Sequence, residues 1–226
     1  MLLHETPAIA AGLDHLIATI PHFASADRTR FEWRRRDPSF AGLLDIILGQ
    51  QVSTRAADAM WAKLVAILPD PAPEGFLRLD DETLARCGFS RQKARYGRAL
   101  AEALITGRLD LDRLPAADDE TVVATLTELP GIGRWSAEVY LMFCLGRPDV
   151  WPIGDLGIVL GTQYLMGLAD KPQPAEIVAI AEAWRPHRTA ASLLVWDHYT
   201  SVAAARRQAA RRTEQPAKAK RSLNRR

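Results

Sequence analysis

The sequence predicts an all-α protein, and three observations carry the prediction. Apolar residues recur at helical spacing: Leu43, Leu44, Ile47 and Leu48 follow i, i+1, i+4, i+5, while Ile177, Ile180, Ala181 and Trp184 follow i, i+3, i+4, i+7. Residues that start and stop helices stand at the ends of such runs. No run alternates apolar and polar residues as a half-buried strand would.

Taken in order, Asp37-Pro38 opens the helix that carries Leu43 to Leu48, and Ser53 opens the next. Gly88 closes a helix before Ser90 opens another, which Gly107 ends. Asp118 starts an apolar helix running to about Leu129, a further one begins near Arg134, and Gly146 follows its end. About ten helices are expected in all. Pro69 to Asp80, Asp110 to Ala117 and Arg147 to Gly154 are rich in Pro, Asp or Gly and read as loops. Residues 1–205 form the helical domain. From Arg206 to Arg226 the pattern fades into Arg, Lys, Ala and Gln, a composition expected to stay disordered.

With 226 residues, 48% of them hydrophobic, the chain can bury one sizeable core or two small lobes. Its two cysteines, Cys87 and Cys144, are too few for a disulfide framework, a four-cysteine zinc site or a cysteine-ligated iron–sulfur cluster. Met1 to Ile20 carries His4, Glu5, Asp14 and His15 and does not resemble a secretory signal, and no apolar run reaches membrane-spanning length. A soluble, cytoplasmic protein is expected. The net charge of +2 hides an asymmetry: Arg206 to Arg226 holds nine Lys/Arg and one acid, leaving the body with 20 bases against 26 acids. Bulk charge therefore does not identify the partner, and local motifs must.

Two such motifs stand out. Leu129-Pro130-Gly131-Ile132-Gly133 joins two amphipathic helices. Its glycines permit positive φ and leave backbone N–H groups uncovered at the start of the second helix, where the helix dipole favours a phosphate. Such a turn holds a nucleic-acid backbone without reading sequence; it also serves as a plain helix connection whose glycines relieve strain. Twenty-four residues past Gly131, Trp151-Pro152-Ile153-Gly154-Asp155-Leu156-Gly157 delivers an Asp to the start of an apolar helix. Asp155 can be a simple N-cap. Capping is compatible with catalysis, because the dipole keeps the carboxylate ionised, and a fixed anion stabilises positive charge developing on a sugar as its base departs.

Together with Leu48-Gly49-Gln50-Gln51-Val52-Ser53, Gly88-Phe89-Ser90-Arg91-Gln92-Lys93-Ala94 and Trp184-Arg185-Pro186, these motifs resemble, in order over residues 38 to 200, the helix-hairpin-helix DNA glycosylases, and among them the DNA-3-methyladenine glycosylase II group. The resemblance implies two α-helical lobes with a cleft between them and Asp155 as the catalytic carboxylate facing a flipped nucleotide. It places Gln51, where some relatives have Leu, in the space the base vacates, and puts Gly131, Ile132, Gly133, Arg134 and Ser136 on the DNA backbone. It further implies a sodium or potassium ion on the backbone carbonyls of Thr127, Leu129 and Ile132, and no other cofactor. Relatives that also cleave the strand carry a Lys nucleophile two residues past the second hairpin glycine. Trp135 occupies that position and no Lys lies between Lys93 and Lys171, so water is the expected nucleophile and the product an abasic site.

A base alkylated on a ring nitrogen is cationic and is drawn to aromatic faces. Trp135, Trp196 and Tyr199 are the candidate pocket residues. Tyr140 reads better as core, and His187 and His198 as surface or structural. The expected partner is double-stranded DNA containing alkylated bases, met by a monomer. Two rivals stay open: a helix-hairpin-helix module that binds DNA without catalysis, and a glycosylase for oxidised or mismatched bases.

Overall fold

A computed structural model describes the backbone of residues 1–223 and the side chains of residues 1–208 apart from Arg30 and Arg207. Among the described residues there are eleven α-helices and no strand: α1 (Pro7–Thr19), α2 (Phe40–Gly49), α3 (Thr54–Ile67), α4 (Pro73–Leu77), α5 (Asp81–Cys87), α6 (Arg91–Ile105), α7 (Asp119–Thr127), α8 (Arg134–Phe143), α9 (Leu156–Leu165), α10 (Pro174–Glu182) and α11 (Arg188–Leu223). No helix among them is long and apolar enough to cross a membrane.

The expected caps are in place. Ser53, Ser90 and Asp118 each accept a hydrogen bond from the N–H three residues on, and Gly88 closes α5 in the left-handed conformation at φ 97°. Three expectations are corrected. The helix read from Asp37-Pro38 is capped by Ser39, whose hydroxyl accepts from Gly42 N–H. The stretch Pro69 to Asp80 contains α4, started by Pro73 with its φ already set for a helix. Leu111–Ala116 forms a 3-10 turn inside the second loop, held because Leu111 and Leu114 are buried. The span expected to be disordered begins within α11, whose backbone is described as far as Leu223.

The chain divides into two units. The first comprises Met1–Thr6 and Glu32–Val150. Its core is built around α2, where Leu43, Leu44, Ile47 and Leu48 are buried with Leu64, Phe76, Leu100, Val122, Leu126 and Tyr140. Phe40, Phe76 and Phe89 form a ring cluster with centroids 5.6 and 5.7 Å apart. The second unit comprises Pro7–Phe31 and Trp151–Arg226, with α11 packed along α9 and α1. The helices α9 and α11 approach closely at Gly161, where a Cβ would stand 2.6 Å from Val195 Cγ1. Trp184 packs between Phe23 and Trp151 at centroid distances of 5.4 and 5.2 Å.

Candidate active site

In the first unit, α7 and α8 are joined by the glycine turn. Gly131 has φ 87°, and a Cβ there would lie 2.1 Å from the Tyr96 ring of α6, so both conformation and space demand glycine. Gly133 differs: φ is −94° and nothing stands within 4 Å of where its Cβ would be. It is the N-cap of α8 and makes no side-chain cap hydrogen bond. Ile132 is buried, which anchors the turn and leaves backbone rather than side chain to meet a ligand.

Two residues expected on DNA are otherwise engaged. Ser136 is buried, and its Oγ accepts from Gln50 Nε2 at 3.0 Å, so it braces the turn from inside. Arg134 places its guanidinium on Glu120 at 2.7 and 3.2 Å and on Glu138 at 2.9 Å. This pairing holds the Glu120 carboxyl below the usual range and raises Arg134. Gln51 is exposed and left-handed at φ 56°, with exposed Val52 beside it. Trp135 lies half-buried in the first turn of α8. Tyr140 is fully buried, as expected of core, and burial raises its hydroxyl pKa.

Three contacts unforeseen from sequence brace this region. Gln50 Nε2 donates to the Gly131 carbonyl at 2.8 Å as well as to Ser136. Lys93 Nζ donates to the Leu48 carbonyl at 2.5 Å, and its burial pulls its pKa down. Gln92 Nε2 donates to the Tyr96 hydroxyl at 2.5 Å, fixing the ring that covers Gly131.

In the second unit, Asp155 caps α9 through Oδ1, which accepts from Ile158 N–H at 2.9 Å. The same oxygen accepts from Trp196 Nε1 of α11 at 2.8 Å. Trp196, expected to line a pocket, thus orients the carboxylate. Gly157 makes room for it, since a Cβ there would come within 2.9 Å of Trp196 Cδ1 and 3.0 Å of Asp155 Oδ1. Tyr199, also expected in the pocket, stacks on Tyr164 at 6.4 Å and 16°. Tyr164 also carries Arg206, 4.3 Å from the ring centroid and donating to its hydroxyl at 3.1 Å. Leu156, next to Asp155, is an exposed large apolar residue that the sequence did not single out. His187 packs against His15 and over Gly12, a structural place, and His198 is half-buried with its pKa lowered by that burial.

The sequence thus named Asp155 and Trp196 separately, and the structure joins them. A helical fold with a glycine turn between two helices, α7 and α8, and a carboxylate held at a helix start defines a protein of the helix-hairpin-helix class. Residues 44–186 match the family model of the HhH-GPD superfamily base excision DNA repair proteins, and the chain belongs to that superfamily. It is 30% identical over 190 residues to DNA-3-methyladenine glycosylase 1 of Schizosaccharomyces pombe, covering 82% of this chain and 83% of the relative. It is 30% identical over 161 residues to DNA-3-methyladenine glycosylase 2 of Escherichia coli, covering 66% of this chain and 54% of that one. Among solved structures, the S. pombe 3-methyladenine DNA glycosylase in complex with abasic DNA superposes with a TM-score of 0.74 at 29% identity, over 82% of this chain and 95% of that one.

Proposed function

We propose that this protein is a monofunctional DNA glycosylase that hydrolyses the N-glycosidic bond of alkylated bases, of the 3-methyladenine and 7-methylguanine type, and leaves an abasic site. The observation that carries the reading is the Asp155 carboxylate, fixed by two donors, Ile158 N–H and Trp196 Nε1–H, on one oxygen. A cap needs only the first. The indole bond holds the charge in one orientation, which suits an anion that must meet a transition state without reorganising.

The chemistry follows from the groups present. Alkylation makes the base cationic, so when the bond from the sugar C1′ to the base nitrogen breaks, the base keeps the electron pair and leaves neutral. Positive charge moves to the sugar ring, where the Asp155 carboxylate stabilises it. Water then bonds to C1′ and gives up a proton. Trp135 offers no amine, so no covalent intermediate forms at the residue two past Gly133. Gly133 and the first turn of α8 hold the DNA backbone, and Gln51 enters the stack as the nucleotide is extruded. Trp135, Trp196 and Tyr199 are the candidates for stacking on a cationic base.

A sodium or potassium ion on the carbonyls of Thr127, Leu129 and Ile132 belongs to the same proposal. Backbone oxygens are suitable donors for such a hard ion, and the Leu129 carbonyl, which accepts from Ile132 N–H at 3.1 Å, keeps a second lone pair. When bound, the ion would add positive charge beside a DNA phosphate. The protein acts as a monomer on double-stranded DNA.

The test is release of the base from a panel of duplexes, each with one lesion: 3-methyladenine, 7-methylguanine, 8-oxoguanine or a mismatch. Methylated bases should be released, leaving a strand that breaks only on heating in alkali, and borohydride should trap no protein–DNA adduct. Duplex binding without release of any base would make the protein a binding module, and a trapped adduct would replace water with an amine.

A further inference from the structure

We propose that Gln50 is a positioning residue that locks the 50–53 loop to the hairpin, so that Gln51 is presented at a fixed register from the turn that grips the DNA backbone. The proposal rests on the glycosylase reading above. It begins with the end of α2, where Gln50 is extended at φ −62° and ψ 128° and Gln51 is left-handed at φ 56°. That change of backbone sense sends consecutive side chains apart: Gln50 is half-buried and Gln51 is exposed. A non-glycine residue in this conformation is strained and persists where its surroundings impose it, most often at functional sites.

The imposing contact is the Gln50 amide. Its Nε2 reaches the Gly131 carbonyl at 2.8 Å and the Ser136 hydroxyl at 3.0 Å, which engages both of its N–H groups. The Gly131 carbonyl belongs to the peptide whose nitrogen, Ile132 N, donates to Leu129 O at 3.1 Å. Gln50 therefore orients the central peptide of the turn. Ser136, in the first turn of α8, is 3% exposed, so the second bond reaches the root of the hairpin.

Helix α6 braces the same two elements separately, through Lys93 on the Leu48 carbonyl and the Tyr96 ring over Gly131. Among the described residues, Gln50 is the side chain whose hydrogen bonds tie the loop directly to the turn. Directional bonds fix an angle and a distance in a way apolar packing does not. With the loop and turn moving as one body, a strand held at the hairpin meets Gln51 at the place where the base must leave.

The test compares wild type with Gln50→Met, which keeps the length and removes the donor, and with Ser136→Ala, which removes one acceptor. Affinity is measured for an undamaged duplex and for a duplex with a tetrahydrofuran abasic analogue flanked by 2-aminopurine, whose emission reports unstacking. Thermal melting and single-turnover release of 7-methylguanine complete the set. Gln50→Met should bind the abasic duplex about tenfold more weakly, with a matching loss of 2-aminopurine emission. Undamaged duplex affinity should stay within about twofold, and Ser136→Ala should fall between. Unchanged preference for the abasic duplex in both variants would overturn the proposal. So would an equal loss on both duplexes with lowered melting, because Gln50 would then be a general brace. If wild type itself neither prefers the abasic duplex nor releases a base, the glycosylase reading fails first, a result distinct from failure of Gln50 alone.

Discussion

Asp155→Asn separates a catalytic carboxylate from a helix cap. The two hydrogen bonds onto Oδ1, from Ile158 N–H at 2.9 Å and Trp196 Nε1 at 2.8 Å, can both be kept by an amide oxygen. Asn is as good an N-cap as Asp, so the local fold survives. What changes is charge: two charge-assisted bonds become neutral ones, a loss of about 1 kcal/mol each. The stability cost is thus about 2 kcal/mol, or roughly 4–8 °C in Tm for a chain of this size. At the transition state the same substitution removes the preorganised counter-charge to the sugar cation, which costs about 10²–10³ in rate. Single-turnover release of 7-methylguanine, with saturating enzyme and Tm recorded in parallel, reads both quantities. Near-wild-type release with a Tm a few degrees lower would refute the reasoning and leave Asp155 a cap.

Other substitutions test the arrangement around it. Trp196→Phe keeps the ring and removes the indole N–H, so base release should fall about tenfold to a hundredfold while duplex affinity holds; an unchanged rate would mean that the bond to Asp155 does not orient it. Gly131→Ala should destabilise the protein by about 3 kcal/mol, measured by denaturant unfolding, because φ 87° disfavours a Cβ and the Tyr96 ring occupies its place. Gly133→Ala, with open space around its Cβ but at an N-cap that prefers glycine to alanine, should cost about 1 kcal/mol, or roughly 2–4 °C in Tm, and on the proposed reading should also weaken duplex binding. Removing residues 206–226 should flatten the salt dependence of duplex affinity by about 0.9 in the log–log slope for each phosphate that the basic side chains neutralise, with base selectivity unchanged; an equal slope would show that this segment does not touch DNA.

Helices were legible because the core repeats at helical spacing and the caps are chemically marked, as at Ser53, Ser90, Asp118 and Gly88. The failures have physical causes. The short helix α4 hides in a Pro- and Asp-rich stretch because five residues, Pro73–Leu77, are too few to show a period. The division into units could not be read, because Pro7–Phe31 joins Trp151–Arg226, and that grouping depends on contacts far apart in sequence.

At the site, sequence supplies residue types and structure supplies their pairings. The resemblance places Arg134 on the DNA backbone, and the structure adds what sequence did not show, its ion pairs with Glu120, 14 positions away, and with Glu138, one helical turn on. Of the two pairs, the i, i+4 spacing of Arg134 and Glu138 was visible in the sequence. The two hairpin glycines look equivalent on paper and are not. Gly131 is forced by φ and by Tyr96, so packing alone accounts for it. Gly133 sits at an ordinary φ with nothing near its Cβ position, and its place is the N-cap of α8, where glycine is preferred to alanine. A glycine N-cap adds no side chain over the first turn, where the helix dipole favours an anion, and the proposed hold on a DNA phosphate rests on that property.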